Sequence, residues 1–320
     1  MQITNSRFYT FLVAAALAAA LSAQAAETTK FPVAGHVQDP YIVRAEDGTY
    51  YLTGTSNINT LDPRYADFQN NDGVRLWKSP DLKTWEDAGL VFDLSKARGP
   101  FGQYRKGRWM EHLRAVSGQT DKPWSRGVTA PEIHRVKGNL LIVFALNDQD
   151  IGLLKSKTGT PEGLYEEVGR LTNLFLGGDG SIFEDSDGKV YFIWGEGYIA
   201  PMNDDMSDIA EKPRSLQMAI DGFSKASPLP DQTGARGALI YKEGDTYRFV
   251  YSAWNRRDGK GHFDTVVCES KALLGPYSKP KLLVLDAGPV SVFKDKAEVR
   301  LTYMKDNEPI VAQLVNGKVR

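Results

Sequence analysis

Apolar and polar positions alternate in short runs along this chain, and the runs come in pairs separated by turn residues. The clearest pair lies at 179–195: a strand opening on Asp179, a tight turn at Asp187-Gly188, and a second strand over 189–194. Runs of β-branched and aromatic residues broken by Asp-Gly are the strongest short-range hairpin signal in a sequence. The template recurs. Asp39-Pro40-Tyr41-Ile42 leads through Asp47-Gly48 to Tyr50-Tyr51-Leu52, and Ala130-Pro131-Glu132-Ile133 leads through Gly138 to Leu140-Leu141-Ile142-Val143. Arg236-Gly237-Ala238-Leu239 leads through Gly244 to Tyr247-Arg248-Phe249-Val250, and a worn fifth copy runs from Gly288-Pro289-Val290 to Val299-Arg300-Leu301.

Further strands follow each hairpin. In the first copy they fall at 73–79 and up to 92, in the second at 151–156 and after Pro161, in the third from Tyr198, and in the fourth over 264–270. Four short strands in succession make one blade of a propeller. Apart from the first interval, which carries an insertion, the copies recur at roughly 50 residues, a blade's length. No helical period competes. An all-β, five-bladed β-propeller is therefore expected. The fifth copy has only three evident strands, so its fourth is expected from elsewhere, at 28–36. Residues 94–127 read as a long basic connection over one face, with Trp109, His112, Arg114 and Trp124 as candidate binding residues; 221–235 read as linker.

Bulk composition narrows the partners. Of 320 residues, 42% are hydrophobic and 25% charged, as in a globular domain. Lysine plus arginine (39) against aspartate plus glutamate (40) leaves a net charge of -1, no footprint for nucleic acid. Residues 1–26 read as a signal peptide: Arg7 precedes an apolar run over 11–21, too short to span a bilayer, and Ala23-Gln24-Ala25 resembles a signal-peptidase site. The domain is thus expected over 27–320, periplasmic or secreted, with no membrane insertion after cleavage, as a monomer. Cys268, the single cysteine, sits in an apolar strand and reads as a buried small hydrophobe. The four histidines, at 36, 112, 134 and 262, show no ligand spacing, so neither metal nor cofactor is expected.

In a propeller the first strand of each blade lines the central channel. Asp39, Ala130, Asp179, Arg236 and Gly288 are therefore expected around one mouth. Two carboxylates across a pocket, Asp39 and Asp179, are what glycoside hydrolysis needs.

The motifs quoted above, with Leu76-Trp77-Lys78-Ser79-Pro80-Asp81-Leu82-Lys83-Thr84-Trp85, resemble glycoside hydrolase family 43 over essentially the whole chain after residue 26. The resemblance implies a five-bladed propeller and inverting hydrolysis of plant-type glycosides such as arabinofuranosides, xylosides or galactosides. It implies Asp39 as the general base and Asp179 as the residue that orients and tunes the acid. The family's acid is a glutamate opening the fourth copy, where this chain has Arg236. A guanidinium stays protonated and is a poor proton donor. His262 is a candidate acid, with Glu132 or Glu196 as alternatives, and Glu132, Arg236, Trp109 and Trp124 are candidate substrate contacts. Two other readings stay open: a catalytically impaired relative in which Arg236 contacts an anionic sugar, and a lyase in which it neutralises a uronate.

Overall fold

A computed structural model describes residues 29–30, 35–58, 60, 67–94, 127–146, 150–171, 178–222, 232–256, 259–306 and 308–320. Trp109, His112, Arg114, Trp124 and the segment 1–26 lie outside the described residues.

The strands group into five antiparallel sheets. Blade 1 holds β2 (Val37–Arg44), β3 (Tyr50–Ser56), β4 (Gly73–Ser79) and β5 (Glu86–Asp93). Blade 2 holds β6 (Val128–Val136), β7 (Asn139–Leu146), β8 (Asp150–Ser156) and β9 (Tyr165–Leu171). Blade 3 is shorter: β10 (Gly180–Glu184), β11 (Val190–Trp194), β12 (Tyr198–Pro201) and β13 (Arg214–Ser215). Blade 4 is the tallest, with β14 (Gln232–Glu243), β15 (Thr246–Asn255), β16 (His262–Ser270) and β17 (Lys281–Val284). Blade 5 holds β18 (Val290–Asp295), β19 (Glu298–Lys305) and β20 (Glu308–Val315). Its outer edge is completed by β1 (Thr29–Lys30), which pairs antiparallel with β20, and by β21 (Lys318–Val319). The expected strand from 28–36 is thus β1, at Thr29–Lys30, and it pairs the first described residues with the last blade.

Packing explains why the sheets close into a ring. The second strands of blades 1 and 2 are buried on both faces: every residue of β3 is buried, as is every residue of β7 after Asn139. Continuous apolar runs of this kind mark strands covered on both sides. Five apolar clusters fill the five gaps between neighbouring blades. Val74, Leu76, Ile142 and Phe144 fill the first, Leu153, Ile182, Phe192 and Trp194 the second, and Phe183, Ile193, Phe249 and Tyr251 the third. Val250, Val267, Leu301 and Leu314 fill the fourth, and Ile42, Leu52, Trp77 and Phe293 join blade 5 back to blade 1. Each large side chain so buried is worth about 1.5–3 kcal/mol. Cys268 lies in the third cluster, and burial pushes its thiol up to about 12.

Two expectations are corrected. The segment 221–235 is not all linker, because β14 begins at Gln232. Hydrogen bonds across to Asn255 and Trp254 recruit Gln232 and Gly234 into the tall blade 4 sheet, overriding their turn-forming composition. The third strand of the fourth copy, expected over 264–270, begins two residues earlier, so that the candidate acid His262 opens β16, opposite Asn255. Among the described residues no helix is long and apolar enough to cross a membrane.

Candidate functional site

The innermost strands β2, β6, β10, β14 and β18 run in the same direction around the axis, so their starts share one end of the channel. That end carries Asp39, Ala130, Asp179, the Arg236-Gly237 pair and Gly288. The opposite end is a cavity of about 900 Å³ lined by the later residues of the same strands, among them Tyr41, Arg44, His134, Glu184, Tyr241 and Phe293.

The mouth is built by a repeated backbone irregularity. Register slips between Gln38 and Tyr41, between Thr129 and Glu132, and between Arg236 and Leu239. A bulge at the rim of a closed sheet re-aims the side chain it carries. Asp39 and Ala130 sit in these bulges at φ 48° and 45°, and Asp179 at the head of β10 at φ 27°. Left-handed backbone at non-glycine residues is uncommon and clusters where surroundings force it. Gly54 permits the first bulge: a Cβ there would lie 2.5 Å from the Gln38 carbonyl oxygen and from Val37 Cγ1. By this register the blade 4 counterpart of Asp39 is Gly237, at φ 61°, and Arg236 matches Gln38. Arg236 therefore stands one position before the equivalence that sequence comparison gave it.

Asp39 is clamped from both neighbouring blades. The Thr55 hydroxyl accepts the Ala130 N–H at 2.8 Å and donates to Asp39 Oδ2 at 2.9 Å. Accepting from Ala130 leaves the hydroxyl proton to point at the carboxylate, which fixes its direction. Asn71, buried, holds both the N–H and the carbonyl of Val128, at 2.9 Å each, and so locks blade 1 to the start of β6. From the other side, the Ser291 and Thr302 hydroxyls of blade 5 converge on the Pro40 carbonyl at 2.6 and 2.5 Å. None of these groups has a signature in sequence except Gly54, whose neighbours Thr53 and Thr55 flank it in an otherwise apolar strand.

Glu132 turns inward rather than to the mouth surface. Its carboxylate meets His134 Nε2 at 2.8 Å, and the Tyr41 hydroxyl meets His134 Nδ1 at 3.2 Å. Burial, and then the Glu132 charge, raise the Tyr41 phenol well above its ordinary value. This carboxylate–imidazole–phenol chain joins β2 to β6 just below Asp39. Sequence reasoning placed Glu132 against substrate and passed over His134.

Blade 4 rises beyond the mouth. Gln232, Asn255 and His262 form its top row, and Gly234, Trp254 and Phe263 the row beneath. Trp254 and Phe263 meet edge to face at a centroid distance of 4.6 Å, and the Arg236 guanidinium lies 5.3 Å from the Phe263 ring centre. With Gly234, these residues line an open pocket of about 510 Å³. His262 Nδ1 pairs with Asp286 Oδ1 at 3.2 Å, and the Asp286 N–H donates to buried Asp264, which also accepts from Asn255. His262 belongs to the third strand of its blade, roughly 10 Å outward from the inner one at ordinary strand spacing. Strand alternation places it on the opposite face of the sheet from Phe263. Glu196 lies in the turn between β11 and β12. Among the described residues no group of three His, Cys, Asp or Glu side chains is placed to hold a metal ion.

Known proteins share this architecture. An endo-arabinase from Bacteroides thetaiotaomicron VPI-5482 superimposes with a TM-score of 0.63 at 22% identity, covering 91% of this chain and 99% of that one. The Cellvibrio cellulosa alpha-L-arabinanase complexed with arabinohexaose gives 0.60 at 21% identity, covering 90% and 96%. At such identities the likeness is one of fold. In sequence, the beta-D-galactofuranosidase xynD of Aspergillus niger is 25% identical over 234 residues, 70% of this chain, and the chain spans 60% of that relative's length. The profile of the glycosyl hydrolases family 43 matches residues 103–287, more than half of the chain. With five blades closed around a channel whose rim carries Asp39 and Asp179, this chain belongs to glycosyl hydrolase family 43.

Proposed function

We propose that the mouth hydrolyses a glycosidic bond in a plant or algal oligosaccharide or polysaccharide, with inversion at the anomeric carbon. Asp39 takes a proton from water, the water oxygen attacks the anomeric carbon, and the bond to the leaving oxygen breaks as that oxygen is protonated. Asp179, on the adjoining rim, orients the proton donor. His262 is the candidate donor: its Nδ1 is committed to Asp286, which leaves Nε2 for substrate. The observation that carries the reading is the clamp at Asp39: Thr55, itself held by Ala130 of blade 2, bonds the carboxylate, while blade 5 hydroxyls hold the next peptide at Pro40, with Asp39 in left-handed backbone. The names of the relatives make furanosides, arabinose-type and galactose-type, the first substrates to try. Residues 1–26 would export the protein to the periplasm or beyond.

Aryl furanosides and xylosides with good and poor leaving groups test this. Asp39→Asn is expected to lower kcat by about 10²–10⁴ for every leaving group, the usual range for a general base. His262→Gln is expected to slow poor leaving groups strongly and good ones little, since a good leaving group needs no proton. Uniform loss in His262→Gln would remove it as the acid, and full activity in Asp39→Asn would refute the proposal.

A further inference from the structure

We infer that the pocket at the foot of the blade 4 wall is a subsite for an acidic sugar, with Trp254 and Phe263 as its floor and Arg236 as its anion contact. This rests on the reading of the mouth as a glycan site and adds the chemical class of what it takes.

The wall is built for a flat ligand. Gly234, opposite Trp254, presents no side chain to the rings, and among the described residues the part-buried Trp254 and Phe263 line the pocket beside it. Gly261 is required for the indole to lie where it does: a Cβ there would stand 2.0 Å from Trp254 Cζ2. Below the rings, the Ser252 and Thr265 hydroxyls bond each other, and Thr265 donates to the Ala287 carbonyl at the start of blade 5. A Cβ on Gly288 would stand 2.4 Å from the Ser252 hydroxyl, so the start of blade 5 packs closely against this pair of hydroxyls. An aromatic face over a rigid floor suits the apolar face of a sugar ring.

Arg236 supplies the charge. It is exposed, and among the described residues no carboxylate lies within ion-pair distance of it. Its guanidinium rests against the Phe263 ring. That contact uses a face of the group and leaves the N–H edge available for two parallel bonds to a carboxylate or sulfate. A cation with no carboxylate at ion-pair distance among the described residues, oriented by an aromatic ring beside a stacking platform, selects a uronate or a sulfate ester over a neutral sugar.

The test uses the full chain carrying Asp39→Asn, to prevent turnover, with and without Arg236→Ala. Calorimetric titration compares a glucuronate-bearing xylo-oligosaccharide with its carboxyl-reduced form, and a sulfated galacto-oligosaccharide with its desulfated form. At least one acidic probe is expected to bind about tenfold more tightly than its neutral partner, the effect of one charge-assisted contact at a part-exposed site. Which acidic probe wins identifies carboxylate or sulfate as the source of charge. Arg236→Ala is expected to erase the preference, Arg236→Lys to keep part of it, and high salt to reduce it. Trp254→Phe is expected to weaken acidic and neutral probes by the same factor. Equal binding of acidic and neutral probes before Arg236 is changed, or a preference that survives Arg236→Ala, would overturn the inference. The two readings fail separately. A charge preference without turnover by the wild-type chain leaves the subsite standing and removes hydrolysis. Turnover lost in Asp39→Asn without any charge preference does the reverse.

Discussion

Replacing Thr55 by valine tests the clamp on Asp39 at its narrowest point. Valine keeps the shape of threonine and removes only the hydroxyl, so no cavity forms. Two contacts are lost at once: the acceptor for the Ala130 N–H at 2.8 Å and the donor to Asp39 at 2.9 Å. The Ala130 N–H is buried at the joint between blades 1 and 2, and a buried donor left unpaired costs about 1–3 kcal/mol. Asp39 is only partly buried, so water replaces much of its lost bond. A total of about 2–3 kcal/mol is expected, which for a chain of this length lowers the unfolding midpoint by roughly 4–6 °C. Activity is expected to fall further than stability implies, because the carboxylate loses its fixed direction. A tenfold to hundredfold drop in kcat with little change in KM corresponds to about 1.4–2.7 kcal/mol in the transition state. Thr55→Ser keeps the hydroxyl and is expected to restore both quantities most of the way. Calorimetry and steady-state kinetics on the three proteins decide. If Thr55→Val melts with Thr55→Ser and turns over at the same rate, the hydroxyl does not position Asp39.

Other consequences can be measured independently. Arg75 is buried between Asp72, fully buried at 3.2 Å, and Asp87 at 2.9 Å, so Arg75→Met is expected to cost about 3–5 kcal/mol in denaturant unfolding, part of it recovered by adding Asp72→Leu. Gly54→Ala forces a Cβ against the Gln38 carbonyl oxygen and is expected to lower the melting temperature as well as kcat, while Gly138→Ala, with open space around it but φ +73°, is expected to cost stability through backbone strain in its own turn and to leave kcat unchanged. Burial holds the Cys268 thiol at about 12, so a disulfide reagent at pH 8 is expected to label it only at the rate of global unfolding; fast labelling of the native protein would contradict the packing. Burial alone would raise Asp185, but hydrogen bonds from Tyr247, the Ser186 N–H and Lys242 together hold it below the ordinary carboxylate value. Its contribution is thus present above the unfolded value and lost as pH falls through the folded one. The stability gap between wild type and Tyr247→Phe is therefore expected to be full at neutral pH and to close in acid, as thermal unfolding across pH would report.

How far the sequence could be read differs between fold and site. The hairpins at Asp47-Gly48, Gly138, Asp187-Gly188 and Gly244 were legible because turn chemistry is local, and four of the five inner strands followed from them. The closing strand β1 was legible only as a missing edge on blade 5. At the rim, Asp39 and Asp179 could be found because a carboxylate at a strand start is conspicuous. Thr55, Ser291 and Thr302 could not, since each is an ordinary strand residue until blade packing brings it to Asp39-Pro40, and Asn71 is an ordinary polar residue before β4 until it meets Val128. Pairing of His134 with Glu132 follows from strand alternation, two residues apart on one face, but its link to Tyr41 needs the neighbouring blade. Trp254 and Phe263 carry no sequence signal that sets them apart from core aromatics; their place on the upper rows of tall blade 4 comes from strand register. The one-residue offset of Arg236 is a matter of bulge register, which a sequence does not record.

Anomeric proton NMR of the products tests the central claim most directly. Wild type and Asp39→Asn are incubated with arabino- and galactofuranosyl oligosaccharides, and with the acidic probes above, and the first-formed anomer is followed before mutarotation. The account predicts a product of inverted configuration that appears with wild type and is absent with Asp39→Asn. A product of retained configuration, an unsaturated product of elimination, or equal turnover by the two proteins would contradict it.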